Sequence, residues 1–416
     1  MGGKKCFILR MCVLVLIMFT AGMAAACGRE DSELEHNTEN EAAEVVTKQA
    51  AENAVTDNNG NYNENNTDIT EDEDVAAEAA REAELKKRFG ENCIAGQTFE
   101  VTLSEYKGKV WFVPFYSPED EQGFSIQIIQ DGEVLSDIHA FVPENLEGQT
   151  FSSLDAVSFF DADYDGNTDI VLVETYGSTS FAAIYYGFGA DAEEYERYFD
   201  WEEQLSDAVS KQVEVLTIPQ IRSFLTEGKE NGKFSGYEEA YEAVSRICAL
   251  ESDGEMQYSL IYVDDDDIPE LAAGVSGYYT SLYTYHDGTL YKVMDRWPYG
   301  AMGNAGYEYS PRKNSLRNYN NDYAGAIMYT TYMTMGAGYS IDTVVQIVSY
   351  NFDDVNQNGQ PDEDEMDSMG LYGVSYIDGA EVSEEECAAY DLGGYEFITV
   401  TMNREELVKM LSENKN

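Results

Sequence analysis

The chain has 416 residues and carries 79 acidic side chains against 25 basic ones, for a formal net charge of −54 at pH 7. Residues 93–416 account for −44 of this charge, so the acidity belongs to the main body of the protein. A surface this acidic repels nucleic acid, and no basic cluster offsets it, so we expect no nucleic-acid partner. Such acidity either keeps the protein soluble or binds divalent cations, and the positions of the acids decide between these roles.

The amino terminus has the order of a secretory signal. A positively charged segment precedes the apolar run Met11–Phe19, and the small residues Ala24–Ala26 lead directly to Cys27. The apolar run is shorter than the roughly 20 residues that cross a bilayer, which disfavours the alternative of an uncleaved signal anchor. A Cys after small residues, followed by Gly, resembles a bacterial lipobox. The resemblance implies a signal peptide at 1–26, lipidation of Cys27 and extracytoplasmic anchoring to the bacterial cell membrane.

Residues 27–92 are predicted to form a disordered acidic tether. Polar and acidic residues dominate it and Tyr62 is its only aromatic residue before Ala80, so it buries too little apolar surface to fold. Its end at 75–89 is rich in helix-forming residues and favours a helix. The remaining chain exceeds the usual size of one hydrophobic core. We therefore expect two domains, at 93–228 and 229–416.

The sequence of the first domain predicts strands followed by helices. Alternating β-branched and aromatic residues predict strands at 98–102, 109–115 and 124–129. Apolar residues at helical spacing then predict helices at 205–215 and 218–225. Thr217 precedes the second helix, and Gln220 stands at the capping-box position.

The second domain opens with a helix at 237–250 and continues mainly as strands. The predicted strands lie at 258–263, 271–275, 282–285, 290–293, 326–329 and 343–348, with a hairpin turn between 285 and 290. Two capped helices close the chain, after Ser383 with Glu386 and after Asn403 with Glu406. The predicted class is α+β, with two β-rich domains and flanking helices after the tether.

Acids at alternate positions mark a first acidic loop, residues 161–169. Ca²⁺ takes six to eight oxygen ligands, which a tight loop supplies from alternate side chains and one carbonyl, with Gly at the sharp turn. The spacing predicts a Ca²⁺ site here, with Gly166 at the turn. Its expected ligands are Asp161, Asp163, Asp165, the carbonyl of Asn167, and Asp169. Leu172 stands where an EF-hand has a bidentate Glu, and a strand follows instead of a helix.

A third acidic loop, residues 354–365, matches the complete EF-hand loop pattern. It also predicts a Ca²⁺ site, although Pro361 is unusual for an EF-hand. The expected ligands are Asp354, Asn356, Asn358, the carbonyl of Gln360, Asp362 and Glu365.

The middle acidic loop, residues 262–270, lies between these two in the chain. In the same register Tyr262 replaces the first ligand and Asp267 replaces the glycine. We interpret it as a degraded copy that keeps the turn as an acidic surface loop without binding metal tightly.

The three loops resemble the D-x-D-x-D-G-x-x-D loops of FG-GAP and VCBS-like repeats. The segments 157–172, 258–271, 282–288 and 382–386 are similar to a group of Gram-positive bacterial surface lipoproteins that brings no known activity. The loops stand about 100 residues apart, whereas propeller repeats run to roughly 40–50 residues. The resemblance therefore does not imply a complete propeller.

Catalytic motifs are scarce. The three histidines are isolated, and no nucleophile elbow, Walker A or zinc-protease motif occurs. Cys93, Cys248 and Cys387 are too few and too scattered for a disulfide framework, so we expect buried thiols. Tyrosine is abundant, and 297–300 with Tyr307 and Tyr309 are the candidate exposed aromatic residues for a glycan or surface protein ligand.

Three functions stay open at this point. The favoured one is a lipid-anchored binding or interaction module whose fold is stabilised by Ca²⁺, without an enzymatic activity. The alternatives are a carbohydrate-active enzyme that uses paired carboxylates, and a scaffold or spacer without catalysis.

Overall fold

The computed structural model of the chain describes residues 71–414. The description excludes the short segments 118–122, 141, 144–145, 147, 189–198, 229–233, 253 and 302. The predicted signal peptide at 1–26, the predicted lipidation site Cys27 and the tether up to residue 70 lie outside the described residues. No helix in the described part combines the length and the apolar character needed to cross a membrane.

The end of the predicted tether is an ordered helix, α1 (Glu71–Phe89). Leu85 is buried with Cys93 and Val113, and the Phe89 ring lies 5.3 Å from that of Trp111. The apolar pair Leu85 and Phe89 is spaced four residues apart and faces the first sheet, which fixes the helix. The prediction of a helical end is confirmed, and the prediction of disorder is wrong for this part of 27–92.

Two antiparallel sheets form the first half of the fold. Sheet A contains β1 (Phe99–Thr102), β2 (Lys109–Tyr116), β3 (Phe124–Gln130) and β4 (Glu133–His139) in that order. Sheet B contains β5 (Phe151–Phe160), β6 (Asp169–Tyr176), β7 (Thr179–Tyr186) and β8 (Asp200–Trp201) in that order. Side chains alternate along each strand, so Ile170 and Leu172 of β6 face sheet A while Val171 and Val173 face the other way.

Helices cover that other face of sheet B. They are α2 (Glu203–Gln212), α3 (Ile218–Thr226), α4 (Tyr237–Glu251) and, at the end of the chain, α6 (Arg404–Asn414). Thr217 does stand at the N-cap of α3, but its side chain accepts no capping hydrogen bond. The capping box with Gln220 is therefore wrong; Pro219 removes one of the N–H groups that need a partner at this end.

Two further sheets complete the fold. Sheet C has β9 (Gln257–Ile261), β10 (Glu270–Val275), β11 (Tyr279–His286) and β12 (Thr289–Pro298), in the order β12-β11-β10-β9. Sheet D is ordered β18-β17-β16-β15-β14-β13-β19. Its strands are β13 (Tyr307–Ser310), β14 (Ser315–Asp322), β15 (Ile327–Met335), β16 (Ile341–Tyr350), β17 (Val374–Ile377), β18 (Ala380–Val382) and β19 (Glu396–Phe397).

A short helix, α5 (Glu384–Ala388), follows sheet D and confirms the predicted capping box. Ser383 accepts the N–H of Glu386, and the Glu386 carboxylate accepts the N–H of Ser383 in return. Asn403 and Glu406 exchange the same pair of bonds at the start of α6. The starts of α5 and α6 could both be predicted from the sequence, because the capping contacts are local.

The architecture is layered, and it confirms the α+β class with sheet dominating. Sheets A and B enclose one core, the helices lie between sheets B and C, and sheets C and D enclose another core. The helical layer buries Ile184 of β7 together with Tyr283 of β11. Because this core draws on both sides of residue 228, the division into 93–228 and 229–416 stays a prediction.

The candidate exposed aromatic residues belong to the core between sheets C and D. Tyr307 and Tyr309 are buried, and Trp297 and Tyr299 pack against them. The expectation of exposure is therefore wrong for Tyr307 and Tyr309, while Trp297 and Tyr299 are half-buried. Strand alternation shows that one face is apolar, but it does not show that a second sheet covers that face.

Candidate metal centres

The first acidic loop turns between β5 and β6, with Tyr164 and Gly166 both in the left-handed region. Asp161 holds this turn, because its two carboxylate oxygens accept the N–H groups of Asp165 at 3.1 Å and of Gly166 at 3.0 Å. Asp163 also accepts the N–H of Asp165, at 3.2 Å. The carboxylates therefore shape the loop as well as line it.

Three of the predicted ligands come together in this loop. Carboxylate oxygens of Asp161, Asp163 and Asp169 lie within 4.8 Å of one another, which makes them a potential metal-binding triad. Asp165 is not part of this triad, because its carboxylate accepts the backbone N–H and the side-chain amide of Asn167 at 2.7 and 2.9 Å.

Asp169 connects the first loop to the sheet behind it. One oxygen accepts the N–H of Ala162 at 2.6 Å, and the other accepts the N–H of Gly187, directly after β7, at 3.0 Å. Asp169 is fully buried, so these two donors satisfy a carboxylate that water does not reach.

The middle loop repeats this pattern about 100 residues later. Asp264 accepts the N–H of Asp266 at 3.1 Å, and Asp266 accepts the N–H of Ile268 at 2.8 Å. Glu270 accepts the N–H of Val263 at 2.7 Å. These bonds match those that Asp163, Asp165 and Asp169 make in the first loop. The two loops therefore share these three hydrogen bonds, although Asp265 and Asp267 of the middle loop are not left-handed as Tyr164 and Gly166 are in the first.

The middle loop also brings three carboxylates together. Oxygens of Asp264, Asp266 and Glu270 lie within 4.8 Å of one another, a triad that the sequence interpretation missed. Tyr262, in the first ligand position, instead lies under the guanidinium of Arg312 at 4.3 Å from its ring centre. The sequence feature that could have predicted this triad is Glu270, an acid at the position in the middle loop that Asp169 occupies in the first.

The third loop has the same backbone turn as the first. Asp354 accepts the N–H groups of Asn358 and Gly359 at 3.1 and 3.0 Å, and Gln357 and Gly359 are left-handed. Glu365 accepts the N–H of Val355 at 2.9 Å. It therefore makes, from the twelfth position, the contact that Asp169 makes from the ninth in the first loop.

Among the described residues, the third loop does not contribute a triad of acids. Its amide side chains bind its own carboxylate instead, since Asn356 and Asn358 donate to Asp362 at 2.6 and 3.3 Å. Gln360 donates its N–H to Asn358 at 2.8 Å. The predicted ligands form the expected turn here, but they bring less negative charge to one point than the two triads do.

Burial makes both triads costly to ionise. Burial, with the neighbouring Asp163 carboxylate, raises the pKa of Asp161 to about 7 and raises the pKa values of Asp165 and Asp169. Burial likewise raises the pKa of Glu270 to about 8. Clustered carboxylates repel one another in a low dielectric, and a bound divalent cation relieves that repulsion.

Two basic side chains from β12 reach the first loop and its surroundings. The Lys292 ammonium contacts the carboxylate of Asp163, and Arg296 lies 3.0 Å from Glu202 and 3.9 Å from Glu251. Sequence reasoning missed both, because β12 is far along the chain from the first loop and nothing local predicts the contact.

Two histidines, His139 and His286, lie among the described residues. His286 is exposed at the β11–β12 turn, 3.5 Å from Asp287. His139, with Asp137 and Asp200, lines a cavity of about 210 Å³ beside β8. The cysteines in the described part of the chain are free, with Cys93 and Cys248 buried and Cys387 partly buried.

Comparison with known proteins does not identify a family. No protein-family model matches the chain, and no curated protein matches it.

Proposed function

We propose that this chain is a lipid-anchored extracytoplasmic protein whose folded part is stabilised by Ca²⁺ at its acidic loops and acts as a binding module. One observation carries the proposal. Two loops in separate sheets, built with the same hydrogen bonds, each place three carboxylates within 4.8 Å of one another.

The donor chemistry favours Ca²⁺ among common metal ions. Both triads contain only carboxylate oxygens, which hard cations prefer, and neither offers the nitrogen or sulfur that selects zinc or copper. Ca²⁺ also tolerates irregular geometry and higher ligand numbers, whereas Mg²⁺ requires a near-ideal octahedron. Carbonyls and water are needed to complete either shell.

The position of the loops supports a structural role for the cation. The first loop joins β5 to β6 and the middle loop joins β9 to β10, so each fixes the end of a sheet next to the helical layer. A cation there neutralises buried charge and stabilises the folded state over the unfolded chain, which lacks a preformed site.

The proposed partner is a protein at the cell surface. Of the aromatic residues that gave the sequence its best argument for glycan binding, Tyr307 and Tyr309 are buried and Trp297 and Tyr299 are half-buried. Exposed apolar side chains lie instead in and after the third loop, at Val355, Leu371 and Tyr372. We extend the lipobox resemblance at Cys27 to the proposal that this contact surface is displayed on the outer face of the membrane.

Titration calorimetry of the purified protein with CaCl₂ tests the cation part of the proposal. We expect saturable binding, weaker binding of MgCl₂, and loss of the Ca²⁺ signal in an Asp264→Asn/Asp266→Asn variant. An unchanged signal in that variant would contradict the assignment to the triads. The absence of any Ca²⁺ heat, together with no Ca²⁺ effect on thermal unfolding, would remove the proposal.

Fractionation of cells tests the proposed lipid anchoring to the membrane separately. The protein is expected to sediment with membranes and to incorporate labelled palmitate, whereas Cys27→Ser abolishes the label. Label that persists in Cys27→Ser would overturn the lipid assignment without affecting the cation sites.

A further inference from the structure

Lys292 is a buried cation that touches the first acidic triad. It lies on β12, the strand at the edge of sheet C, and only 4% of its side chain is exposed. Its ammonium contacts the Asp163 carboxylate, of which 2% is exposed, and lies 3.5 Å from Asp295. One oxygen of Asp163 therefore faces a protein cation, while the other accepts the N–H of Asp165.

The middle triad differs in this respect. In the described part of the chain, no basic side chain forms an ion pair within 4.0 Å of Asp264, Asp266 or Glu270. Arg312 donates to the backbone carbonyl of Asp266 at 2.9 Å and lies 3.7 Å from the exposed Asp267, and His286 acts on Asp266 only through its charge. Two loops that share three hydrogen bonds thus differ in whether a buried basic side chain of the protein contacts the triad.

We propose that Lys292 is the built-in cation of the first acidic loop, so that the Ca²⁺ requirement of the fold falls on the middle loop. This inference rests on the proposed function, because it concerns which of the two triads needs the metal. A lysine ammonium is a compact point charge with three donors. It offsets part of the charge that a bound metal would offset, and it occupies an oxygen that a metal would use.

The inference also explains why a lysine is buried there. An unpaired buried ammonium is strongly unfavourable, and so is an unpaired buried carboxylate, whereas the two together are tolerated. Removal of Lys292 leaves the first triad with uncompensated charge. An external divalent cation is then the available replacement, so the first loop acquires the requirement that the middle loop already has.

Thermal unfolding of the full chain in EDTA and in 5 mM CaCl₂ tests this, with wild type, Lys292→Met and Asp264→Asn/Asp266→Asn. Lys292→Met is expected to lower the Tm in EDTA by about 5–10 °C and to regain most of it in Ca²⁺. The middle-loop variant is expected to lose the Ca²⁺-dependent rise of the wild type. Lys109→Met, at an exposed lysine, is the matched control and should leave both values unchanged.

The outcomes separate this inference from the proposed function. A Ca²⁺-dependent rise in Lys292→Met that equals the wild-type rise overturns the inference and leaves the proposed function in place. If the wild type shows no rise while Lys292→Met does, the role of Lys292 stands and the cation requirement of the native protein fails.

A second variant covers the case in which Lys292→Met does not fold in EDTA. Lys292→Met/Asp163→Asn removes both partners, and we expect it to fold in EDTA, because neither member of this buried pair is left without the other. If the double variant is as unstable as Lys292→Met, and Ca²⁺ rescues neither, Lys292 acts through packing alone and the inference is overturned.

Discussion

The first and middle acidic loops share three hydrogen bonds but differ in how each carboxylate is compensated. In the first loop Asp169 is bound by two backbone N–H groups, and Asp163 contacts Lys292. In the middle loop Glu270 accepts one backbone N–H and the hydroxyl of Thr284 at 3.3 Å. From this difference we predict that similar acid spacing in the two loops does not give similar dependence on a metal.

The largest effect is expected from removing the buried acid that closes each loop. Asp169→Ala leaves the N–H groups of Ala162 and Gly187 buried without acceptors, and we expect it to lower the free energy of unfolding by about 3 kcal/mol. Glu270→Ala leaves one N–H without an acceptor, while the Thr284 hydroxyl reorients. We therefore expect Glu270→Ala to lower the free energy of unfolding by about 2 kcal/mol. Urea unfolding measures both. A larger loss of unfolding free energy in Glu270→Ala than in Asp169→Ala would contradict this comparison of the two loops.

The next effect concerns pH and separates the middle loop from an ordinary buried acid. Burial raises the pKa of Glu174, which lies in the core between sheets A and B, to about 8, the same value as for Glu270. Each folded-state pKa lies above the unfolded value, so the folded protein retains protons that the unfolded chain releases. Stability is therefore highest below about pH 4.3 for these groups and falls as pH rises towards 8.

Each group contributes a slope of up to about 1.4 kcal/mol per pH unit within that window. Ca²⁺ is expected to remove the pH dependence of stability that Glu270 contributes, because it neutralises that carboxylate. The pH dependence that Glu174 contributes is expected to remain. The two contributions are measured from the unfolding free energies of Glu270→Gln and Glu174→Gln between pH 5 and 8, with Ca²⁺ and with EDTA. A Glu174 contribution that disappears in Ca²⁺ would show that the metal acts globally and not at the loop.

A smaller effect is expected from restoring the missing ligand of the middle loop. Tyr262→Asp adds a carboxylate at the position that Asp161 occupies in the first loop, and we expect it to tighten Ca²⁺ binding about tenfold, or about 1.4 kcal/mol. Tyr262→Ala is the control, because it removes the contact with Arg312 without adding a ligand. Calorimetry distinguishes them, and equal affinities would mean that the middle loop does not share the geometry of the first.

The smallest effect is expected at the third loop. Asp354→Asn keeps an acceptor for one of the two N–H groups, of Asn358 and Gly359, and removes one charge from an exposed turn. We expect the Ca²⁺-dependent rise in Tm to change by about 1 °C or less, compared with its loss in Asp264→Asn/Asp266→Asn. A large reduction in Asp354→Asn would assign the main site to the loop that best matches the EF-hand pattern.

Local features of the fold could be predicted from the sequence. The β11–β12 hairpin, the capped start of α5 and the turns of the first and third loops depend on contacts within a few residues. The pairing of Lys292 with Asp163 joins residues 129 positions apart, and no local pattern encodes it. The middle triad was missed for a different reason, since Tyr262 and Asp267 broke the motif while Glu270 preserved the geometry.

The central claim is that Ca²⁺ stabilises this fold through the middle loop. The most direct test is the Tm of the wild type and of Asp264→Asn/Asp266→Asn, each measured in EDTA and in 5 mM CaCl₂. We predict a rise of several degrees in the wild type, as expected for a ligand that binds only the folded state, and none in the variant. No rise in the wild type, or an equal rise in both proteins, would contradict the claim.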